Sequence, residues 1–391
     1  MINSPINTQP YNLLATFLAP DKTEQQIAEL QALIGQDKIN WGLVLLQANI
    51  DFCTPLWYVQ LKMDNLFYLV PQDLQEYLTV IYDANCERNQ LFREELEKVL
   101  IFCEAEQIQT ILLKGAATFY DNLYGDDGAR VMKDLDLLIK PEQIDAVVGY
   151  LVASDYQVIP DPGRTVENKQ TDLRHHHIDA YQKRGTPVVI EIHYNTLYAE
   201  TGQILPPEDA WNRSISCVDH YPLCNILSPS DRLLHHALHA TNSQREFIQG
   251  NIFLLYLTEY QYLKKKNCLT FEDITKGKNP IIRHYLTPLR TFDYLAQILF
   301  SEISSYAEVP LRTKLHGKRV LAWQNSSLAL HEEKHSLSAT LTNALLQSYF
   351  LSQVPMWMWR NTCYAAGFSS IPDRIRMCIK KLFTTESYKK I

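Results

Sequence analysis

The chain has 391 residues, room for two or three packing units, with 46% apolar and 21% charged residues, a balance that excludes disorder, collagen-like repeats and small disulfide scaffolds. Its 37 basic residues stand against 44 acidic ones, a net charge of -7, whereas a protein that grips long nucleic acid usually carries a basic excess to neutralise phosphates. Only 13 residues are glycine, about 3% against a typical ~7%, which argues against a glycine-rich phosphate cradle and against an all-β fold full of tight turns. The eight cysteines form no Cys-x-x-Cys pair and read as reduced thiols. The N-terminus lacks a basic segment followed by an apolar core, and no apolar run reaches the ~18 residues of a membrane span. A cytoplasmic protein is expected.

Residues 1–106 read as a helical region. Leu74, Leu78 and Ile81, then Phe92, Leu96, Val99 and Cys103, recur at steps of three and four and so share a helix face. The character changes over 107–204, where an α+β core is expected. Residues 108–113 form an apolar run ending at Lys114-Gly115, a strand and turn, and 116–124 read as a helix. A second strand covers 135–139, and Pro141 opens a helix that buries Ile144, Val147, Val148 and Leu151. Residues 156–159 are a third strand candidate. Segments 175–182 and 188–194 flank the turn 183–187 as a hairpin, giving a mixed or antiparallel sheet. Beyond Pro206-Pro207 the 205–391 region returns to helices: Ser230 caps 231–240, and helical patterns follow over 247–266, 280–302 and 325–352. Lys264, Lys265 and Lys266 close the first of these, where the helix dipole favours cations. The apolar run 356–359 fits a helical core, and the basic, amphipathic stretch 371–391 fits docking onto the domain.

The chemistry concentrates in Asp134 and Asp136. Residues two apart on a strand share a face, so these carboxylates stand side by side while Leu135, Leu137 and Ile139 point into a core. Adjacent carboxylates repel, and a divalent cation removes that cost; Mg2+ favours carboxylate oxygens together with substrate phosphates. The stretch 188–193 alternates in the same way and places Glu191 and His193 on one face. If the two strands are neighbours, Glu191 becomes a third carboxylate, the set that two-metal phosphoryl transfer uses. Lys114 and the Gly115 amide, at a turn that opens a helix, suit phosphate oxygens.

The motifs Leu113-Lys114-Gly115-Ala116, Arg130-x3-Asp134-Leu-Asp136-Leu-Leu and Glu191-Ile-His193-Tyr194 resemble the uncharacterised bacterial nucleotidyltransferase family, within the DNA polymerase β-like superfamily. Leu227-x3-Asp231-Arg-Leu-Leu-x4-His239 and the closing Arg374-Ile-Arg and Lys381-Leu-Phe are similar to the same family's C-terminal half. The resemblance implies a small mixed sheet with flanking helices, an NTP donor, in the first instance ATP, and two Mg2+ ions. It further implies metal binding by Asp134 and Asp136, with Glu191 as third carboxylate. Lys114, Gly115 and Arg130 would serve the nucleotide, Arg130 either near the triphosphate or bracing the carboxylates. His177, His193, His235 and His239 are candidates for the acceptor side, built by the helices after 205. Where the family often has Gly-Tyr after its helix, this chain has Asp155-Tyr156, and Asp tolerates a left-handed turn.

The expected activity is transfer of an NMP group from an NTP to a nucleophile of a small molecule, peptide or protein, releasing pyrophosphate. A kinase on the same fold and a non-catalytic nucleotide-binding or scaffold protein are the alternatives. Nucleic acid is not an expected partner.

Overall fold

The computed structural model describes residues 6–160, 175–216, 221–243, 252–300 and, with gaps, 309–324. The expected helix over 325–352, the apolar run 356–359 and the basic stretch 371–391 lie outside the described residues, as do Arg374 and Lys381. Four short helices open the chain: α1 (Pro10–Leu18), α2 (Glu24–Ile34), α3 (Trp41–Ile50) and α4 (Thr54–Met63). Thr23 and Gln26 close a capping box on α2. Phe17, Trp41 and Trp57 gather α1, α3 and α4 into one aromatic contact, with ring centroids 5.8 to 6.3 Å apart.

Helix α5 (Gln72–Ala105) runs 34 residues without a break. Its expected face is buried at Leu74, Leu78, Phe92, Leu96, Val99 and Cys103, with Ile81 half-buried. The chain then enters the sheet: β1 (Thr110–Leu112), β2 (Leu135–Ile139), β3 (Tyr156–Ile159), β4 (Ala180–Lys183), β5 (Val189–His193), β6 (Ile215–Ser216) and β7 (Cys224–Ile226). Their order is β3-β4-β5-β2-β1-β7-β6. The sheet is mixed, with β2 parallel to β5, β1 parallel to β7 and the other pairs antiparallel. The fold is α+β, and the sheet draws its last two strands from 215–226. Those strands had no clear alternating signal, being two and three residues long.

Several local expectations are corrected. In place of a helix over 116–124 there is a 3-10 turn, Lys114–Ala117, and a single α turn, α6 (Thr118–Asp121), which Asn122 ends in left-handed conformation at φ 49°. The strand expected from His175 begins at Ala180, preceded by one isolated bridge between His177 and His193. Ser228, not Ser230, caps α9 (Pro229–Leu238), because Pro229 takes the first helical position and Ser228 Oγ accepts from the Asp231 N–H. Asp155 does adopt the left-handed turn, at φ 66°. Helix α7 (Ile144–Ala153) precedes it, α8 (Pro207–Arg213) lies between β5 and β6, and α10 (Leu254–Lys266), α11 (Phe271–Thr275) and α12 (Leu286–Leu299) follow the sheet.

Strand alternation sends the two faces of the sheet into different cores. Leu135, Leu137, Ile139, Val188, Ile190 and Ile192 pack with Phe92, Leu96 and Val99 of α5 and Val147 and Leu151 of α7. Ile111, Leu113 and Leu138 join the larger core, with α9, α10, α12 and the N-terminal helices. Asp136 and His193 are fully buried and, by the same alternation, point away from the α5–α7 side. Among the described residues no helix is long and apolar enough to cross a membrane.

Candidate functional site

Strands β2 and β5 are parallel neighbours, and Asp136 pairs in register with Glu191. The hypothesis that these strands adjoin is therefore met, and it places the third carboxylate, Glu191, directly beside Asp136. Asp134 lies one residue ahead of β2. It feels Asp136, Lys114, Glu191 and Arg130 electrostatically, so it belongs to the same cluster. Among the described residues, the side chains whose ligand atoms all lie within 4.8 Å of one another are Asp136, Glu191 and His193. Asp134 is outside that group, and His193, assigned from sequence to the acceptor side, is inside it.

Lys114 adopts φ 44°, a left-handed backbone that a non-glycine residue rarely holds and that recurs at functional turns. Its Nζ sits 2.5 Å from Asp136 Oδ1. His193 Nε2 lies 2.8 Å from the same oxygen and 3.6 Å from Glu191 Oε2. Asp136 Oδ2 is buried without a hydrogen-bond partner. An orphaned carboxylate oxygen is costly, and here it stands among other anionic donors, a setting a dication fits.

The charges explain each other. Burial raises the Asp136 carboxyl, but Lys114 and His193 outweigh it and hold the group well below the usual range. Burial together with Asp136 pushes Asp134 up to about 6, against the opposing pull of Lys114. Burial also works against charge on Lys114, yet Asp136, Asp134 and Glu191 raise it above the ordinary lysine value. For His193, burial is overcome by the hydrogen bonds to Asp136 and Glu191, and the ring stays basic.

Arg130, half-buried, is held in an ion pair: its Nε donates to the buried Glu259 Oε2 at 2.9 Å, and Tyr124 Oη donates to the same oxygen at 3.2 Å. Burial disfavours the Glu259 carboxylate, but Arg130 and His236 bring it down to about 2. A Cβ on Gly115 would collide with the Arg130 guanidinium, with Cζ at 2.8 Å, and with Met132 Sδ at 2.9 Å. Gly115 is thus required for the close approach of Arg130. Nothing in the 108–139 motifs pointed to Glu259, which sits on α10, 129 residues away.

Helix α5 fixes the loop that leads into the acidic pair. Asn85 Nδ2 donates to the carbonyls of Gly128 (2.7 Å) and Arg130 (3.0 Å), and Asn89 Nδ2 to those of Asp127 (2.6 Å) and Arg130 (2.8 Å). Arg88 Nε adds a bond to the Met132 carbonyl at 2.8 Å. Two buried asparagines on a largely apolar helix face were the available signal, since a buried amide needs partners.

The histidines divide. His177 Nε2 is 3.9 Å from Glu191 Oε2, and its ring is 5.2 Å from that of His193. His235, buried, and His239, half-buried, stack at 6.3 Å, both within electrostatic reach of Lys114 and Asp136. Burial first, then Lys114, pulls His235 down to about 3 and His239 well below its usual value, so both are neutral. His235 Nε2 bonds the Thr196 carbonyl at 2.8 Å. Asp231, on the same helix, is taken by Arg213 (2.7 Å) and Lys278 (2.6 Å).

Comparison with known proteins bears on this arrangement directly. The sequence pattern described as uncharacterised nucleotidyltransferase matches residues 37–274, well over half of the chain and all of the sheet. No curated protein matches the chain. The chain belongs to the uncharacterised nucleotidyltransferase family.

Proposed function

From that membership we propose that the protein transfers a nucleoside monophosphate group from an NTP, in the first instance ATP, to a nucleophile on a small molecule, peptide or protein. The observation that supports this most is the in-register pairing of Asp136 with Glu191, beside Lys114 on its strained turn. Asp134, Asp136 and Glu191 would hold divalent metal, which when bound supplies charge neutralisation at the reacting phosphate. Lys114 exchanges its contact with Asp136 for the triphosphate, and the Gly115 N–H adds a backbone donor at the same turn. Arg130, fixed by Glu259, braces that turn from behind. The neutral pair His235 and His239 forms part of the acceptor side, where an imidazole can accept or donate a proton without carrying permanent charge.

The test is calorimetric titration of the full chain with Mg2+ and α,β-methylene ATP. Binding by the wild type and its loss in the Asp134→Ala/Asp136→Ala variant is expected; unchanged binding in that variant overturns the reading. Incubation with α- and γ-labelled ATP then assigns the bond: label from the α position must appear on the acceptor or on the protein itself, with release of pyrophosphate. Transfer of the γ label alone would make the enzyme a kinase.

A further inference from the structure

The donors around Asp136 are not all oxygen. Resting on the metal-dependent reading above, we propose that the centre is a mixed imidazole–carboxylate site, with His177 as fourth donor beside Asp136, Glu191 and His193. In this form it takes a first-row transition dication such as Mn2+ in preference to Mg2+.

The backbone brings His177 into place. His177 and His193 form an antiparallel bridge, and the segment is pinned on β5 by Ile178 N–H to the Ile192 carbonyl (2.9 Å) and Tyr194 N–H to the His176 carbonyl (3.0 Å). Its tautomer follows from chemistry. His177 Nδ1 lies 2.7 Å from the Ile178 carbonyl oxygen, which can only accept, so Nδ1 carries the proton. The neutral ring then holds its lone pair on Nε2, the nitrogen 3.9 Å from Glu191 Oε2. A backbone carbonyl on one ring nitrogen, with the other turned toward the Glu191 carboxylate, is the arrangement that orients metal-binding histidines. His193 presents its Nε2 to Glu191 as well, and to Asp136.

Donor type then sets the preference. Mg2+ is a hard ion that takes oxygen and retains water. Imidazole nitrogen favours later first-row ions, whose affinity for nitrogen sites rises from Mn2+ onward. Asp136, Glu191 and His193 already bring their ligand atoms within 4.8 Å of one another, His177 stands beside that set at 3.9 Å from Glu191, and the imidazole nitrogens discriminate against Mg2+.

The test titrates Mn2+ into the full chain without nucleotide, following loss of the free-ion paramagnetic resonance signal. Pulsed measurement of nitrogen-14 coupling on the bound ion follows. The expected result is coupling to two imidazole nitrogens, with Mg2+ displacing Mn2+ only at roughly a hundredfold excess. In His177→Ala one coupling disappears and the Mn2+ dissociation constant rises about tenfold or more. His177→Gln, which keeps a polar side chain of similar length, loses the same coupling and guards against a folding defect. Absent nitrogen coupling, unchanged coupling in both variants, or displacement by equimolar Mg2+ each overturns the inference. Transfer of α label with Mg2+ and no nitrogen on the metal would sink this inference alone. Two coupled nitrogens without transfer under any metal would uphold it while the nucleotidyl-transfer reading fails.

Discussion

Glu259 receives the Arg130 guanidinium at 2.9 Å, and through this pair a helix of the C-terminal region is joined to the turn that carries Lys114. Both side chains are largely removed from water. A buried pair adds little when compared with well-packed apolar residues, but removing one partner strands the other charge. Glu259→Ala should therefore cost roughly 3–5 kcal/mol by urea denaturation, and Arg130→Met/Glu259→Met should recover most of that loss. A single variant within about 1 kcal/mol of wild type would show that the pair is not buried in solution.

Gly115 admits the guanidinium that Glu259 holds. Gly115→Ala forces Arg130 or Met132 to move, at an expected cost of about 1–3 kcal/mol for overpacking. Nucleotide affinity should fall as the Lys114 turn shifts. Combining it with Arg130→Ala relieves the clash, so the two substitutions should be less than additive in thermal melts. Strict additivity would count against direct contact.

Asn89 makes two bonds to carbonyls of the 127–130 loop. Asn89→Leu should leave the Asp127 carbonyl without this donor and the Arg130 carbonyl with Asn85 alone, at a cost of roughly 1–3 kcal/mol. The effect on the site is the sharper readout. With the loop into Asp134 released, metal binding should weaken even though no ligand has changed; calorimetry with Mn2+ would reveal it, and intact affinity would refute it.

Asp51 offers a pH-dependent test away from the site. It is buried, and its Oδ1 accepts from the Leu254 N–H (3.0 Å), supplying the first turn of α10 with a cap that Phe253 cannot give. Burial pushes its carboxyl up to about 7, although Gln47 and the Leu254 N–H oppose this. Between the ordinary carboxylate range and pH ~7 the folded state keeps a proton that the unfolded chain has released. Stability must then fall as pH rises through that window and stay low above it. The full effect is on the order of 4 kcal/mol at ~1.4 kcal/mol per pH unit. Asp51→Asn keeps an acceptor for Leu254, and its new N–H2 can meet Gln47 Oε1, which is buried without a partner. This variant should melt higher at pH 8 and lose the slope between pH 4 and 7. A melting temperature that falls at every pH would disprove the assignment.

The strands of the candidate site were legible because alternation is a local property: Asp134 with Asp136, and Glu191 with His193, could each be assigned to one face of their own strand before any pairing was known. Their adjacency was conditional on strand order, which periodicity does not encode, and the parallel register of β2 with β5 supplied it. Lys114 was visible as a residue at a turn, whereas its contact with Asp136 depended on that order too. Arg130 shows the opposite case. Its motif position was plain, but its partner Glu259 lies in a distant helix whose sequence reads as ordinary packing. The Ser230 cap failed because two serines flank Pro229 and only the first precedes the helix. The short strands β6 and β7 escaped because two or three residues carry no period.

Helix α5 contributes Leu74 and Leu78 to one core and Phe92, Leu96, Val99 and Cys103 to the other, along about 50 Å at ~1.5 Å per residue. A single continuous rod shared by both hydrophobic clusters couples their melting. Proteolytic release of the first 106 residues would not liberate a smaller enzyme; it would remove a wall of the sheet's own core together with the amides that hold the loop before Asp134. The expectation is one cooperative transition for the whole assembly, and a sheet that has no independent existence without helix α5.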